Sequence, residues 1–230
     1  MTTPMHASAA LLIGHSHSGK SPLGRHIERA ARYRPQRIYH LDFGELLRNV
    51  ARGMSVPGLD TNDALFVRSI LDGTLLDAKH FPIAGALLDW FLGSVGFDPR
   101  AHVLLLNGFP RTRAQAAYAD AYGIAMRLLI HCDCSAESAW KRKHLAAAGA
   151  GHEDRGGRGD DDPAIFGKRI VSFEQDTLPL VEYYRSRGTP VLRIPVDEDT
   201  TPRDMYDAVS APLEAIAGPV PHDVSGRAAP

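Results

Sequence analysis

Apolar positions along this chain alternate between short continuous runs and helical spacing. "ALLIG" (Ala10 to Gly14) is a short apolar run, and "SPLGRHIERAARY" after it carries its apolar residues at helical intervals. "RIYHLDF" then reads as a strand and "GELLRNVARGM" as a helix. "DALFVRSILDG" and "FPIAGALLDWFLGSVG" read as two further helices, each with an apolar side. "HVLLLNGF" is almost continuously apolar, as a parallel strand covered on both faces must be. "RAQAAYADAYG" is helical, "RLLIHCDC" a strand and "SAESAWKRKHLAAA" helical. "PAIFGKRIVSFEQDTLPLVEYYRSRG" is a long helical pattern with a break expected near Pro179. "PVLRIPV" is a last strand and "TPRDMYDAVSAPLEAIAG" a last helix. This alternation predicts an α/β fold, a parallel sheet with helices on both faces.

Two stretches lack the pattern. "AAAGAGHEDRGGRGDDD" (Ala146 to Asp162) is rich in Gly, Ala and charge, and is expected to be a mobile surface loop. "PVPHDVSGRAAP" reads as a flexible tail over 219–230. No internal repeat is visible. The rest, 8–218, is expected to form one domain.

Composition excludes several classes. Lysine and arginine number 26 against 27 acidic residues, so charge balance offers nothing to nucleic acid or an anionic membrane surface. No apolar run approaches the ~18 residues that span a bilayer, and the N-terminus does not read as a secretory signal. Cys132 and Cys134 stand two apart on a strand candidate. Their side chains are expected on opposite faces, unpaired, in a reducing cytoplasmic setting. A monomer is expected.

The first chemical motif is Gly14-His15-Ser16-His17-Ser18-Gly19-Lys20-Ser21, which fits the general P-loop pattern. It lies between a predicted strand and a predicted helix, the context the motif needs. Inward backbone N–H groups and a helix N-terminus hold anionic phosphates. Lys20 is placed to reach the β- and γ-phosphates of ATP, and the Ser21 hydroxyl to sit on Mg²⁺. Pro22 fits within the first turn. His15 and His17 lack the further ligands that zinc demands and are read as exposed loop residues.

The second motif, Asn107-Gly108-Phe109-Pro110-Arg111 with Gln115 four residues on, resembles the Asp-Gly-Phe-Pro-Arg signature of the adenylate kinase family. "FGELLR" (Phe43 to Arg48) resembles that family's Thr-Gly-Asp-Leu-Leu-Arg, and "DGTLLD" (Asp72 to Asp77) its Gly-x-Leu-Val-Pro-Asp, one residue shorter. "GRGDDDPAIFGKRI" resembles its Gly-Arg-x-Asp-Asp segment, and Arg158 and Arg169 keep the family's spacing. The likeness runs from about Leu11 to about Ala217.

The resemblance implies a P-loop NTPase-type sheet with a helical acceptor-binding insert at 43–92 and a short lid, without structural zinc, at 143–162. It implies an ATP:nucleoside-monophosphate phosphotransferase, with AMP the leading acceptor. Another nucleotide or a small metabolite is the alternative acceptor, and a catalytically weakened nucleotide-binding sensor is the alternative to an enzyme. Lys20 then holds the donor phosphates within the Gly14–Ser21 loop. Arg48 and Arg111 hold the acceptor phosphate beside Phe43 and Gly108, and Gln115 reads the acceptor base. Arg142 lies beside the donor nucleotide, Arg158 and Arg169 clamp the transferring group, and Asp160 and Asp161 orient the lid edge. Arginines from separate segments suit this chemistry, since guanidinium matches phosphate oxygens in bidentate geometry.

The chain departs from the family at the chemistry. His17 replaces a loop glycine and is expected to bear a steric cost if φ is positive there. Ser16 replaces the loop proline, and Ser21-Pro22 the Gly-Thr pair. Asn107 replaces an aspartate expected to hold waters on Mg²⁺, so weaker Mg²⁺ binding is expected and Asn107→Asp is expected to improve it. Phe43 replaces a threonine near the acceptor base, and is read equally as a base-contacting ring or a buried aromatic. Ala146 replaces an arginine four residues beyond Arg142.

Overall fold

A computed structural model describes residues 6–31, 37–148 and 162–216. Five strands, β1 (Ala7–Ile13), β2 (Arg37–Asp42), β3 (His102–Asn107), β4 (Ile124–Cys134) and β5 (Val191–Val196), form one sheet in the order β2-β3-β1-β4-β5. All pairings are parallel. Every residue of β1 is buried, which is why its stretch is apolar without alternation. The register of β1 against β4 shifts between Ala9 and Ala10.

The helices are α1 (Lys20–Ala31), α2 (Phe43–Ala51), α3 (Thr61–Ser69), α4 (Phe81–Ser94), α5 (Arg113–Tyr122), α6 (Ala136–Ala147), α7 (Pro163–Ser172), α8 (Leu180–Ser186) and α9 (Pro202–Ile216). Side chains of β1 divide the core by strand parity. Ala9, Leu11 and Ile13 join residues of α2, α4, α5 and α8 on one face. Ala10 and Leu12 join Leu23 and Ile27 of α1 and Met205, Val209 and Leu213 of α9 on the other. The chain is therefore an α/β protein with a parallel sheet covered on both sides, as its pattern predicts.

Local signals account for several helix starts. Asp60 and Asp63 form a reciprocal capping box on α3. Thr112 caps α5, Ser135 caps α6 and Asp162 caps α7. The segment between β2 and β3 is helical, holding α2, α3 and α4.

Two expectations change, and a third falls largely outside the described residues. The break in the long helical pattern is a π-helical turn, Phe173–Thr177, that begins before Pro179. Cys132 and Cys134 are free and buried in the same apolar cluster, not on opposite faces. A strand repeats its facing every two residues, so i and i+2 share a side. The expected lid begins inside α6, and 149–161, with Arg158, Asp160 and Asp161, lies outside the described residues, as does the tail at 219–230.

Candidate active site

The cleft lies at the C-terminal ends of β1, β2 and β3, where an open parallel sheet gathers its strand-to-helix loops. After β1 the chain turns at Gly14, with φ +152. A Cβ there would stand 2.5 Å from Ser18 Oγ and 2.6 Å from the Cys132 carbonyl oxygen, so only glycine fits. Lys20 opens α1 and folds back over the loop. Its Nζ donates to the carbonyls of Gly14 at 2.8 Å and His15 at 2.5 Å, and to Ser18 Oγ at 3.3 Å.

His17 has φ 65, the only described non-glycine residue with positive φ, so the steric cost expected there is real. Neither loop histidine is the exposed residue that the sequence suggests. His15 and His17 are 8% and 2% exposed. The His15 ring lies 4.4 Å from that of Phe173, and the His17 ring 5.9 Å from that of Phe166. The loop is thus held from below by α7 and the π turn that follows it. Burial, then the charges of Lys20 and His131, lower the His15 pKa to about 4, so its imidazole is neutral at physiological pH.

Of the loop residues expected to hold ATP, Gly14, Ser16, His17, Lys20 and Ser21 line the cleft. His15, Ser18 and Gly19 are not among the residues that line it. Arg142 is not among the lining residues either, but it lies against the loop, where a Cβ on Gly19 would stand 3.1 Å from its Nη2. It is buried in α6, with Nε donating to the His17 carbonyl at 2.9 Å. Nη1 donates to the carbonyls of Asp197 at 2.7 Å and Thr200 at 2.9 Å. Its guanidinium serves the backbone of two loops. Ala146, at the place of the family's second arginine, is buried.

Of the seven expected acceptor residues, Arg158 lies outside the described residues and the other six share one cleft. Phe43, Arg48, Gly108, Arg111, Gln115 and Arg169 all line the cleft, as does Asn107. Phe43 is 1% exposed and stacks on Phe109 at 4.9 Å while it also lines the cleft. Gln115 is held by main chain: Oε1 accepts the Arg111 N–H at 2.8 Å and Nε2 donates to the Leu76 carbonyl at 2.9 Å. It sets the backbone of Arg111. Arg111 Nε lies 3.4 Å from Thr177 Oγ1, and Arg169 Nη2 donates to the Leu71 carbonyl at 3.0 Å. Burial, then the Arg169 charge, push the Arg111 pKa down to about 10. The Asp176 carboxylate acts in the other direction, and two guanidinium groups close together in a cleft suit an anion.

Sequence reading missed Asp42. It ends β2 and caps α2, with Oδ1 accepting the Glu45 N–H at 3.0 Å. Oδ2 accepts from the Ser21 hydroxyl at 2.5 Å. Asn107 Nδ2 lies 3.1 Å from both Ser21 Oγ and Asp42 Oδ2. Burial alone raises this carboxyl, but Ser21, His40, the Glu45 N–H and Arg48 outweigh it and hold the pKa below the usual range. Among the described residues, Asp42 is the only acidic one lining the cleft. The signal was a carboxylate at a strand end, but its meaning depends on the register that sets Asp42 beside Asn107.

Comparison with known proteins fits this geometry. No protein-family model matches the chain. An adenylate kinase of Xanthobacter autotrophicus is 30% identical over 158 residues, covering 66% of this chain and 74% of that protein. One from Methylobacterium nodulans is 31% identical over 185 residues, covering 78% and 85% respectively. The chain belongs to the adenylate kinase family. A UMP-CMP kinase 1 of Oryza sativa subsp. japonica is also similar, 29% identical over 150 residues, covering 65% of this chain and 54% of that protein. As a member of this family the chain is a nucleoside monophosphate kinase, a phosphotransferase. Among the described residues no His, Cys, Asp and Glu cluster could form an all-protein metal cage, and no helix is long and apolar enough to cross a membrane.

Proposed function

We propose that this kinase moves the γ-phosphoryl group of ATP to AMP, giving two ADP. The observation that carries the reading is the convergence of Lys20, Arg48, Arg111 and Arg169 on a cleft whose lining, among the described residues, holds one carboxylate. Donor and acceptor phosphates bring several negative charges together, and their neutralisation and alignment is most of the catalytic task. In this reading the Gly14–Ser21 loop and Lys20 take the donor phosphates. Arg48 and Arg111 take the acceptor phosphate, and Arg169 bridges the group in transit. A phosphate oxygen of AMP forms the new bond to γ-phosphorus while the bond to the β,γ-bridging oxygen breaks. That oxygen is already anionic, so no general base is needed. The helical segment between β2 and β3 supplies the acceptor wall, with Gln115 shaping it through Arg111 and Leu76.

Hard oxygen donors suit Mg²⁺, and Ser21 and Asp42 offer them beside the loop. When bound, the ion neutralises charge on the donor phosphates. The test is ADP formation from ATP and Mg²⁺ against AMP, UMP, CMP and GMP, with Lys20→Ala as the reference. AMP should turn over fastest, and Lys20→Ala should lower the rate on the order of 10²-fold or more. Preference for UMP or CMP would refute AMP as acceptor, and silence with every monophosphate would refute the whole reading.

A further inference from the structure

Asn107 ends β3 where the family resemblance calls for an aspartate, which predicts a weak hold on Mg²⁺. A different strand supplies the missing charge. Asp42 ends β2 and is the register partner of Asn107. Ser21 Oγ, Asp42 Oδ2 and Asn107 Nδ2 form a closed triangle with sides of 2.5, 3.1 and 3.1 Å. We infer that Asp42 is the carboxylate that holds hydrated Mg²⁺ in this chain, and that Asn107 is the positioning residue that orients it. The inference rests on the reading of the Gly14–Ser21 loop as the ATP site.

The count of lone pairs supports it. An ionised carboxylate offers about four acceptor sites. Asp42 uses them for Ser21, Asn107 and the Glu45 N–H, which leaves one for a metal-bound water. Ser21 gives its proton to Asp42 and accepts from Asn107, which leaves a lone pair for the cation itself. Mg²⁺ keeps several waters and takes few protein oxygens, so one hydroxyl and one outer carboxylate suffice. An amide at 107 is then what the arrangement requires. It donates to both oxygens, which a carboxylate, having no N–H to give, could not do. The expectation that Asn107→Asp alone improves Mg²⁺ binding is therefore reversed.

The test moves the charge. Asp42→Asn is nearly isosteric, and asparagine caps a helix as well as aspartate, so α2 keeps its cap. Asp42→Asn, Asn107→Asp and the double variant are compared with the wild type. Mn²⁺ affinity of the complex with a non-hydrolysable ATP analogue is read by electron paramagnetic resonance. Analogue affinity in EDTA is read by calorimetry. Asp42→Asn should weaken Mn²⁺ about 10–100-fold, the range for removal of an outer metal partner, while metal-free analogue binds unchanged or tighter. Asn107→Asp alone should bind Mn²⁺ no tighter than wild type, and the double variant should recover at least about tenfold over Asp42→Asn. Wild-type Mn²⁺ affinity in Asp42→Asn, tighter binding in Asn107→Asp, no recovery in the double variant, or equal weakening with and without metal would each overturn the inference. Failure of the wild type to bind the analogue at all would instead remove the donor-site reading, and the inference with it.

Discussion

Arg142 ties the phosphate loop to the loop that follows β5. Its guanidinium makes three hydrogen bonds to carbonyls, one of them in the phosphate loop, from a position 6% exposed. Hydrogen bonds from a charged donor contribute roughly 1.5–3 kcal/mol each. Asp197 is exposed and Thr200 half-buried, so water recovers part of what their carbonyls lose on truncation, whereas the His17 carbonyl belongs to a buried residue. Arg142→Ala should therefore cost about 3–5 kcal/mol of stability. That corresponds to a melting point lower by on the order of 10 °C for a chain of this size. Arg142→Lys should recover little, because an ammonium cannot span three carbonyls in the plane of a fork. The assay is urea unfolding without ligand, paired with KM for ATP and kcat at a temperature where both variants are folded. Loss of stability with a modest rise in KM supports the loop-anchoring role. Unchanged stability with a kcat loss of about 10³-fold would refute it and return Arg142 to the nucleotide.

The remaining predictions concern charge, protonation and space. Arg111→Met should raise the ligand-free melting point by a few degrees, since it removes a partly buried charge from beside Arg169, while kcat falls about 10³-fold; a drop in both would refute the anion-site argument. His15 has a folded pKa of about 4, below its unfolded value of about 6.5, so the unfolded chain takes the proton first. Stability should fall as pH drops from about 6.5 to about 4, by on the order of 2 kcal/mol from this group. The urea midpoint of His15→Phe should depend less on pH across that window, and an identical slope would sink the claim. Gly24→Ala should destabilise by about 1–3 kcal/mol, because its Cβ would stand 2.2 Å from His40 Nε2. Calorimetry on Gly24→Ala and on Gly24→Ala with His40→Ala checks this, with partial recovery expected in the pair.

Legibility tracked the range of the forces involved. β3 was plain because burial on both faces leaves an unbroken apolar run, "HVLLLN". The convergence of Arg48, Arg111 and Arg169 was readable because each sits in a motif whose backbone place is set locally. The carbonyl partners of Arg142 were not readable, because the sequence locates a Cα while a long side chain can turn to either side of a loop. The π turn at Phe173–Thr177 has no strong local signal. Phe173 sits between His15 and His131, at 4.4 and 6.0 Å. Asp42 was hidden in a strand end until sheet register set it beside a residue 65 positions away.

The two ring contacts beneath the phosphate loop also constrain how this chain can change. His17→Gly alone would relieve a left-handed torsion worth roughly 1–2 kcal/mol. It would also empty the space against Phe166, a void of comparable cost. His15 stands in the same relation to Phe173. Neither loop position is free to drift by itself, so a path back to a glycine-rich loop passes through paired substitutions in α7 and the turn behind it. A library that randomises residues 14–21 alone should return few folded, active clones. One that varies positions 166 and 173 with them should return more, which makes the loop and its support a single heritable module.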